Sequence, residues 1–442
     1  MLRHSKKLLA LALVFILALT LGLSALAQTF DPEDGFTPGA DGNVQLTLNK
    51  NLQMPIGTTT PDVNFIFEAV RVSVNGEAAT TTNMPLIGTP DDRTGTDLPN
   101  PHLGTFNVNF NSTDTATPAG DIITITGTAA TITLSPSMFN TPGVFVYEFR
   151  ERANTNPAID AATNTAESIQ YSQAVYQVRV VVVNCPDHLD DDCDDADCTG
   201  LIIQQVIVER TANDAGTAVT EKVEEITFTN IYVVSDELII RKEVEGLLGD
   251  REAYFPFAVT LFENPLIPAS ATTPTYRAFI YDADGNRITL PTAPDAAGPN
   301  GILADGTLEG DTYVVFVPGT ERTFNLQHGQ QIRFIDTPVG TRFVAAETDT
   351  MSHQVSASGI WSSARATAPS LSTPTDAADR VLVQQDTNNI VTFENFRNLP
   401  PQTGLTMNDL PFVGMIIIAL GVVAGFVVFK LRKGKKANNT AR

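Results

Sequence analysis

The sequence predicts an all-β protein, and three observations predict it. Thr, Val, Gly and Pro are abundant, apolar residues recur at every second position in runs bounded by Gly- and Pro-rich turns, and helical periodicity is missing between the two ends. The chain of 442 residues is long enough for two or three domains with real cores. Its formal net charge of -22, with basic clusters only at the ends, argues against a nucleic-acid partner.

Residues 1–27 read as a secretory signal: Arg3, Lys6 and Lys7, an apolar run from Leu8 to Leu23, then Ala25-Leu26-Ala27 before Gln28. The alternative is a retained membrane anchor. After a tail over 28–43, the first predicted domain spans 44–235. Val44, Leu46, Leu48, Lys50 and Leu52 alternate, so Lys50 shares the face of the apolar side chains. A lone lysine on a core face needs a reason. Strand-like runs follow over Val63 to Val74 and Asp121 to Leu134. In GVFVYEFRE, Phe145, Tyr147, Phe149 and Glu151 share one face, so a carboxylate joins the apolar side. Tyr171 to Val183 and Leu201 to Val208 read as a hairpin, and Ile226, Phe228, Asn230 and Tyr232 place a carboxamide on the last row.

The second predicted domain, 236–397, repeats the scheme. Leu238, Ile240, Lys242 and Val244 alternate first, then Thr341, Phe343, Ala345 and Glu347, and finally Val391, Phe393 and Asn395. Each unit therefore presents Lys, Glu and Asn in that order on apolar rows. Burial lowers a lysine pKa and raises a glutamate pKa, so both groups can be neutral together. A neutral amine is a nucleophile, and a protonated carboxyl can polarise a carboxamide and shuttle protons. The product would be a Lys-Asn isopeptide bond with loss of ammonia, favoured by proximity in a dry core. The alternative is a buried hydrogen-bonded cluster without covalent chemistry.

The C-terminal segment spans residues 398–442. LPPQTG occupies 399–404, an apolar run follows from Leu410 to Phe429, and Lys430, Arg432, Lys433, Lys435 and Lys436 follow that. This order resembles the signal of Gram-positive surface proteins in which a sortase cleaves between Thr and Gly of an LPxTG motif. Here the frame is Pro400-Pro401-Gln402-Thr403-Gly404, with Pro400 where that motif has Leu. The alternative is an ordinary single-span anchor. Together with LIIRKEVEGLLGDREAYFPFAVTL, FNLQHGQQIRFIDTPVGTRFVAAE and VTFENF in the second unit, and VYEFRE and ITFTNIY in the first, the chain resembles two-domain backbone pilins of the T-antigen type.

The resemblance implies two tandem immunoglobulin-like (CnaB-type) β-sandwiches. It implies cross-links from Lys50 to Asn230, promoted by Glu151, and from Lys242 to Asn395, promoted by Glu347. It also implies an intersubunit link between Thr403 and a lysine on the last strand of the first domain, a description that Lys222, before Val223, fits. Between the terminal apolar segments only Lys50, Lys222 and Lys242 occur. The other reading of Lys222 is a solvated lysine beside Glu221, Glu224 and Glu225.

The implied partners are a sortase, further copies of the same chain, peptidoglycan or a base pilin, and a tip adhesin. The implied location is the cell surface, reached through a membrane-anchored precursor and held by covalent attachment to the wall or pilus. The competing function is a monomeric wall-anchored adhesin binding a ligand through surface loops. In the loop CPDHLDDDCDDADC, Cys185, Cys193 and Cys198 suggest a disulfide with one thiol left over. A Ca²⁺ site over 187–197 is the sharper alternative, although the EF-hand spacing is missing. No other cofactor is implied. Asp282 to Gly285 reads as a hairpin turn. Five scattered histidines, with no nucleophile elbow and no zinc spacing, support no enzyme acting on an external substrate.

Overall fold

The computed structural model describes residues 30–31, 35–91, 102–127, 130–159, 166–185, 200–266, 275–293, 298–359, 381–385, 388–398 and 410–437. The signal segment and residues 399–409, which hold the TG motif, lie outside them.

Period-two patterning becomes strand over most of each run in which it was read. The first sandwich contains β1 (Val44–Pro55), β2 (Val63–Val74), β3 (Leu103–Phe110), β4 (Ile122–Thr126), β5 (Ala130–Leu134), β6 (Gly143–Asn156), β7 (Glu167–Gln170), β8 (Val175–Asn184), β9 (Leu201–Ala212) and β10 (Ala218–Lys222). One layer has the order β9-β8-β6-β2-β3, with β10 on the outer edge of β9. The other is centred on β1, whose two halves pair antiparallel with β5 and β4. The run from Asp121 to Leu134 is thus two strands rather than one. They part at Gly127, where a Cβ would lie 2.5 Å from Val108 Cγ1. The expected hairpin is β8 with β9.

The next strand, β11 (Ile226–Glu245), is 20 residues long and serves both sandwiches. At about 3.3 Å per residue it extends roughly 65 Å. Residues 226–231 run parallel to β1, and residues 231–234 pair with β7. Beyond Ser235 the strand enters the second sandwich. That unit adds β12 (Phe255–Phe262), β13 (Tyr276–Tyr281), β14 (Asp311–Phe316), β15 (Arg322–Leu326), β16 (Gln331–Pro338), β17 (Arg342–Glu347), β18 (Gln354–Gly359) and β19 (Ile390–Phe396). Its larger layer is β14-β13-β16-β11-β19-β18, and β12 lies between β15 and β17 in the facing layer. The pair β11 and β19 is again parallel. Asp282 closes the predicted turn by accepting the amides of Asp284 and Asn286.

Each sandwich has its own apolar core. Phe67 meets Phe228 at 5.0 Å between ring centroids in the first, and Phe257 meets Phe393 at 5.1 Å in the second. The two are joined by more than the shared strand. Val339 is buried in the first core, Arg342 donates from Nε and Nη2 to Asp121, and Gln385 accepts the Thr59 amide at 2.8 Å. Gly340, at φ +84°, lies so close to this seam that a Cβ would come within 2.5 Å of Pro55.

The apolar run near the C-terminus forms α1 (Leu410–Ala437). Its side chains are described only over 414–430, and Met415, Ile418, Val422 and Phe429 are all exposed. Among the described residues no helix is long and apolar enough to cross a membrane, so the span stays an expectation of the sequence.

Gly340→Ala combines a strained left-handed conformation with a clash against Pro55, and it should cost about 1–3 kcal/mol. Denaturant unfolding would measure the cost. Amide exchange at Thr59 should rise with it, because the seam is what holds that amide.

Candidate functional site

Two clusters with the same composition occupy the two cores. In each parallel pair the residue opposite the lysine is two positions before the asparagine. Lys50 faces Phe228, two before Asn230, and Lys242 faces Phe393, two before Asn395. An offset of two keeps lysine and asparagine on one face, and a slip of one would turn the carboxamide outward. The glutamate comes from the facing layer, from β6 in the first sandwich and β17 in the second. It therefore reaches across the core to the two strands.

In the first cluster Lys50 Nζ lies 2.9 Å from Glu151 Oε2, and Asn230 Nδ2 donates to Glu151 Oε1 at 2.6 Å. In the second, Lys242 Nζ lies 2.9 Å from Glu347 Oε2, and Asn395 Nδ2 donates to Glu347 Oε1. Both lysines and both asparagines are 0% exposed. One carboxylate thus bridges an amine and a carboxamide, one oxygen to each.

The surroundings are apolar and aromatic. Lys50 Nζ sits 4.8 Å from the Phe65 ring centroid, and Lys242 Nζ sits 4.4 Å from that of Phe255. Burial lowers both lysines to about 8, against the opposing pull of their glutamates. Burial pushes the Glu151 carboxyl up, opposed by Lys50, by hydrogen bonds from Lys50 and Asn230, and by the Ser172 amide.

The clusters differ at the carboxamide oxygen. The backbone N–H of Ser172 donates to Asn230 Oδ1 at 2.6 Å, whereas Asn395 Oδ1 is buried without a hydrogen-bond partner among the described residues. Ser172 left no trace in the sequence reading, because its contribution is a main-chain donor. The pattern did not single out Phe65 or Phe255 either, since only the fold brings each ring to an amine.

Lys222 is placed differently from the expectation. It is not on the strand that carries Asn230 but ends the separate edge strand β10, where its partner in register is Glu209 of β9. Residues 223–225, two of them glutamates, interrupt the alternation before β11 begins, and Lys222 is exposed. Cys185 is buried and its amide donates to the Gly200 carbonyl at 3.1 Å, which closes the mouth of the acidic loop. Cys193, Cys198 and the loop aspartates lie outside the described residues, as do Pro400, Pro401, Gln402, Thr403 and Gly404. Among the described residues no group of three or more His, Cys, Asp or Glu could hold a metal ion.

With this geometry in view, the chain can be compared with known proteins. A family model described as "Domain of unknown function (DUF7601)" matches residues 236–397, a span containing every buried residue of the second core. No curated protein matches the chain. Among solved structures the chain is similar to the major pilin from Streptococcus pyogenes, at 19% identity over 80% of this chain and 99% of that one, with a TM-score of 0.28. It is similar to the T3.2 major pilin protein of the same species, at 16% identity over 80% and 98%, with a TM-score of 0.30. A pilus-presented adhesin is similar at 13% identity over 80% and 100%, with a TM-score of 0.25.

The effect of burial on Lys50 can be measured directly. In an Asn230→Ala chain, Lys50 should titrate at about 8 rather than at the ordinary 10.5. Adding Phe65→Ala should move it upward as water enters. Carbon-13 spectra of labelled lysine would resolve it, because so few lysines lie between the terminal segments. A Lys50 that titrates at the ordinary value would refute the argument.

Proposed function

We propose that the protein is a structural shaft subunit of a sortase-assembled covalent pilus, with each sandwich closed by an autocatalytic Lys-Asn isopeptide bond. The observation that carries this reading is the repeated Lys-Glu-Asn cluster, buried in both cores and set in the same strand register. Each cluster joins the first strand of its sandwich to the last.

The chemistry follows from the contacts. The proton on Lys50 Nζ can pass along its 2.9 Å hydrogen bond to Glu151 Oε2, leaving a neutral amine beside a protonated carboxyl. The amine attacks Asn230 Cγ, the carboxyl relays a proton to Nδ2, and ammonia leaves. The second cluster has the same groups in the same order. This is a single, self-directed turnover.

Assembly draws on the sequence. The sortase would cleave after Thr403 and pass its carbonyl to an amine of the next subunit. Lys222 is exposed at an edge strand, whereas Lys50 and Lys242 are buried. A pull entering at Lys222 and leaving at Thr403 would run along β11 to Lys242 and cross the second bond to Asn395. The exposed apolar side chains of α1, followed by a basic tail, fit the membrane-held precursor that a sortase processes.

Intact mass decides the internal bonds: the purified ectodomain should be lighter by two ammonia, and Glu151→Ala or Glu347→Ala should each restore one. A mass equal to that of the sequence would rule both out. Each bond closes a loop of well over a hundred residues, so losing one should lower stability by about 5 kcal/mol on the loop-entropy model.

The rate of bond formation should be bell-shaped in pH. The reactive neutral pair holds the same number of protons as the ion pair, so the rate is level at neutral pH. It falls above about 8, where the pair loses its shared proton. It falls in acid once the carboxyl protonates while the amine stays charged. A rate that rises steadily with pH would instead mean that the amine loses its proton to solvent.

Polymerisation has its own test. Coexpressed with its sortase, the chain should give a ladder of SDS-resistant oligomers that Lys222→Ala abolishes. A single monomeric band from both would favour the wall-anchored adhesin.

A further inference from the structure

The two clusters share three side chains but not their surroundings, and the difference lies where charge would develop. As the amine adds to the asparagine Cγ, the carbonyl π pair moves onto Oδ1. In the first sandwich that oxygen already accepts the Ser172 N–H at 2.6 Å. In the second, Asn395 Oδ1 is buried and accepts nothing among the described residues. We propose that the Ser172 main-chain amide is an oxyanion donor for the Lys50-Asn230 reaction, that Asp214 positions it, and that the first sandwich therefore closes well before the second. This rests on the isopeptide reading above.

Ser172 is not held by a sheet ladder. It sits between β7 and β8, and its place is fixed by a carboxylate from the turn between β9 and β10. Asp214 Oδ1 accepts the Ser172 hydroxyl at 2.6 Å and the Thr229 amide at 2.9 Å, and Thr229 adjoins Asn230. Asp214 Oδ2 pairs with Arg210 at 2.7 Å, and the Asp214 carbonyl accepts the Gln173 amide at 3.0 Å. The Ser172 hydroxyl in turn accepts the Ala174 amide at 3.1 Å. One side chain thus ties the residue bearing the donor to the strand bearing the acceptor. Such preorganisation is effective in catalysis because no reorganisation is needed when the charge appears.

The hydrogen bond also fixes the sense of the carboxamide. With Oδ1 on the Ser172 N–H, Nδ2 is the atom that faces Glu151. After its first proton has gone to Glu151, Lys50 Nζ donates its lone pair to Cγ, and the π pair goes to Oδ1 opposite the Ser172 N–H. Glu151 gives its proton to Nδ2 and takes a second from Nζ. The Cγ–Nδ2 bond breaks, ammonia departs, and the carbonyl re-forms as a secondary amide. Glu151 ends protonated, with every proton accounted for. In the second sandwich Glu347 can make the same transfers, but the oxyanion has no donor among the described residues.

The test follows both bonds in one molecule. The full chain is made by cell-free translation, synthesis is stopped, and timed samples are digested and scored by mass for the Lys50-Asn230 and Lys242-Asn395 peptides. In the wild type the first should form at least about tenfold faster, since removing one oxyanion donor typically costs a hundredfold or more. Asp214→Ala should slow the first bond and leave the second unchanged. Asp214→Asn should restore it, because the acceptor oxygen for Ser172 and Thr229 is kept. Ser172→Pro, which deletes the N–H, should slow the first bond about a hundredfold, with amide exchange on β8 reporting whether the sandwich has formed. If Ser172→Pro does not fold, the Ala and Asn replacements of Asp214 decide alone. Equal rates for the two wild-type bonds, or an Asp214→Ala effect that falls on both or is not rescued by Asn, would overturn the proposal while the isopeptide reading stands. If neither peptide appears in the wild type, that reading fails as well.

Discussion

Parallel pairing of the strand that opens each sandwich with the strand that ends it is the constraint on which the rest of this structure depends. Strands joined by a short turn pair antiparallel, so a parallel pair brings together segments far apart in the chain. Here the pairs are β1 with β11 and β11 with β19, and everything between is enclosed by them. An offset of two in register then places a lysine and an asparagine side by side on the inner face. Because β11 supplies Asn230 to one pair and Lys242 to the other, its own alternation fixes both clusters at once.

Burial gives those residues their chemical character. A lysine in water is a cation and an asparagine is inert. Behind Phe65 or Phe255 the cation loses solvation, and the main compensation is one carboxylate from the opposite layer. Removing one member of such a pair leaves an uncompensated buried charge, which costs several kcal/mol. The arrangement is therefore an unstable compromise by electrostatics alone. On the proposed reading it would be relieved if amine and carboxamide became one neutral amide, which would give that reaction its direction.

The seam between the sandwiches belongs to the same design. Val339 in the first core, Arg342 on Asp121 and Gln385 on Thr59 brace a strand that would otherwise be a bare linker. A continuous strand with contacts on both sides would carry load along its length, as the proposed shaft role requires.

The sequence by itself determined the strands that matter and the faces of their side chains, because alternation with period two is a local property of the backbone. Lys50, Glu151, Asn230, Lys242, Glu347 and Asn395 could all be placed on inner faces that way. Alternation cannot reveal a break, so the run from Asp121 to Leu134 read as one strand although Gly127 divides it. Lys222 likewise read as part of the final strand although it lies on the edge of β9. Only the tertiary structure decided which rows meet, since register between strands more than a hundred residues apart is set by packing and not by local pattern. It alone distinguished the two clusters, because Ser172 acts through a main-chain N–H that every residue except proline possesses. What makes that donor particular is where Asp214 holds it.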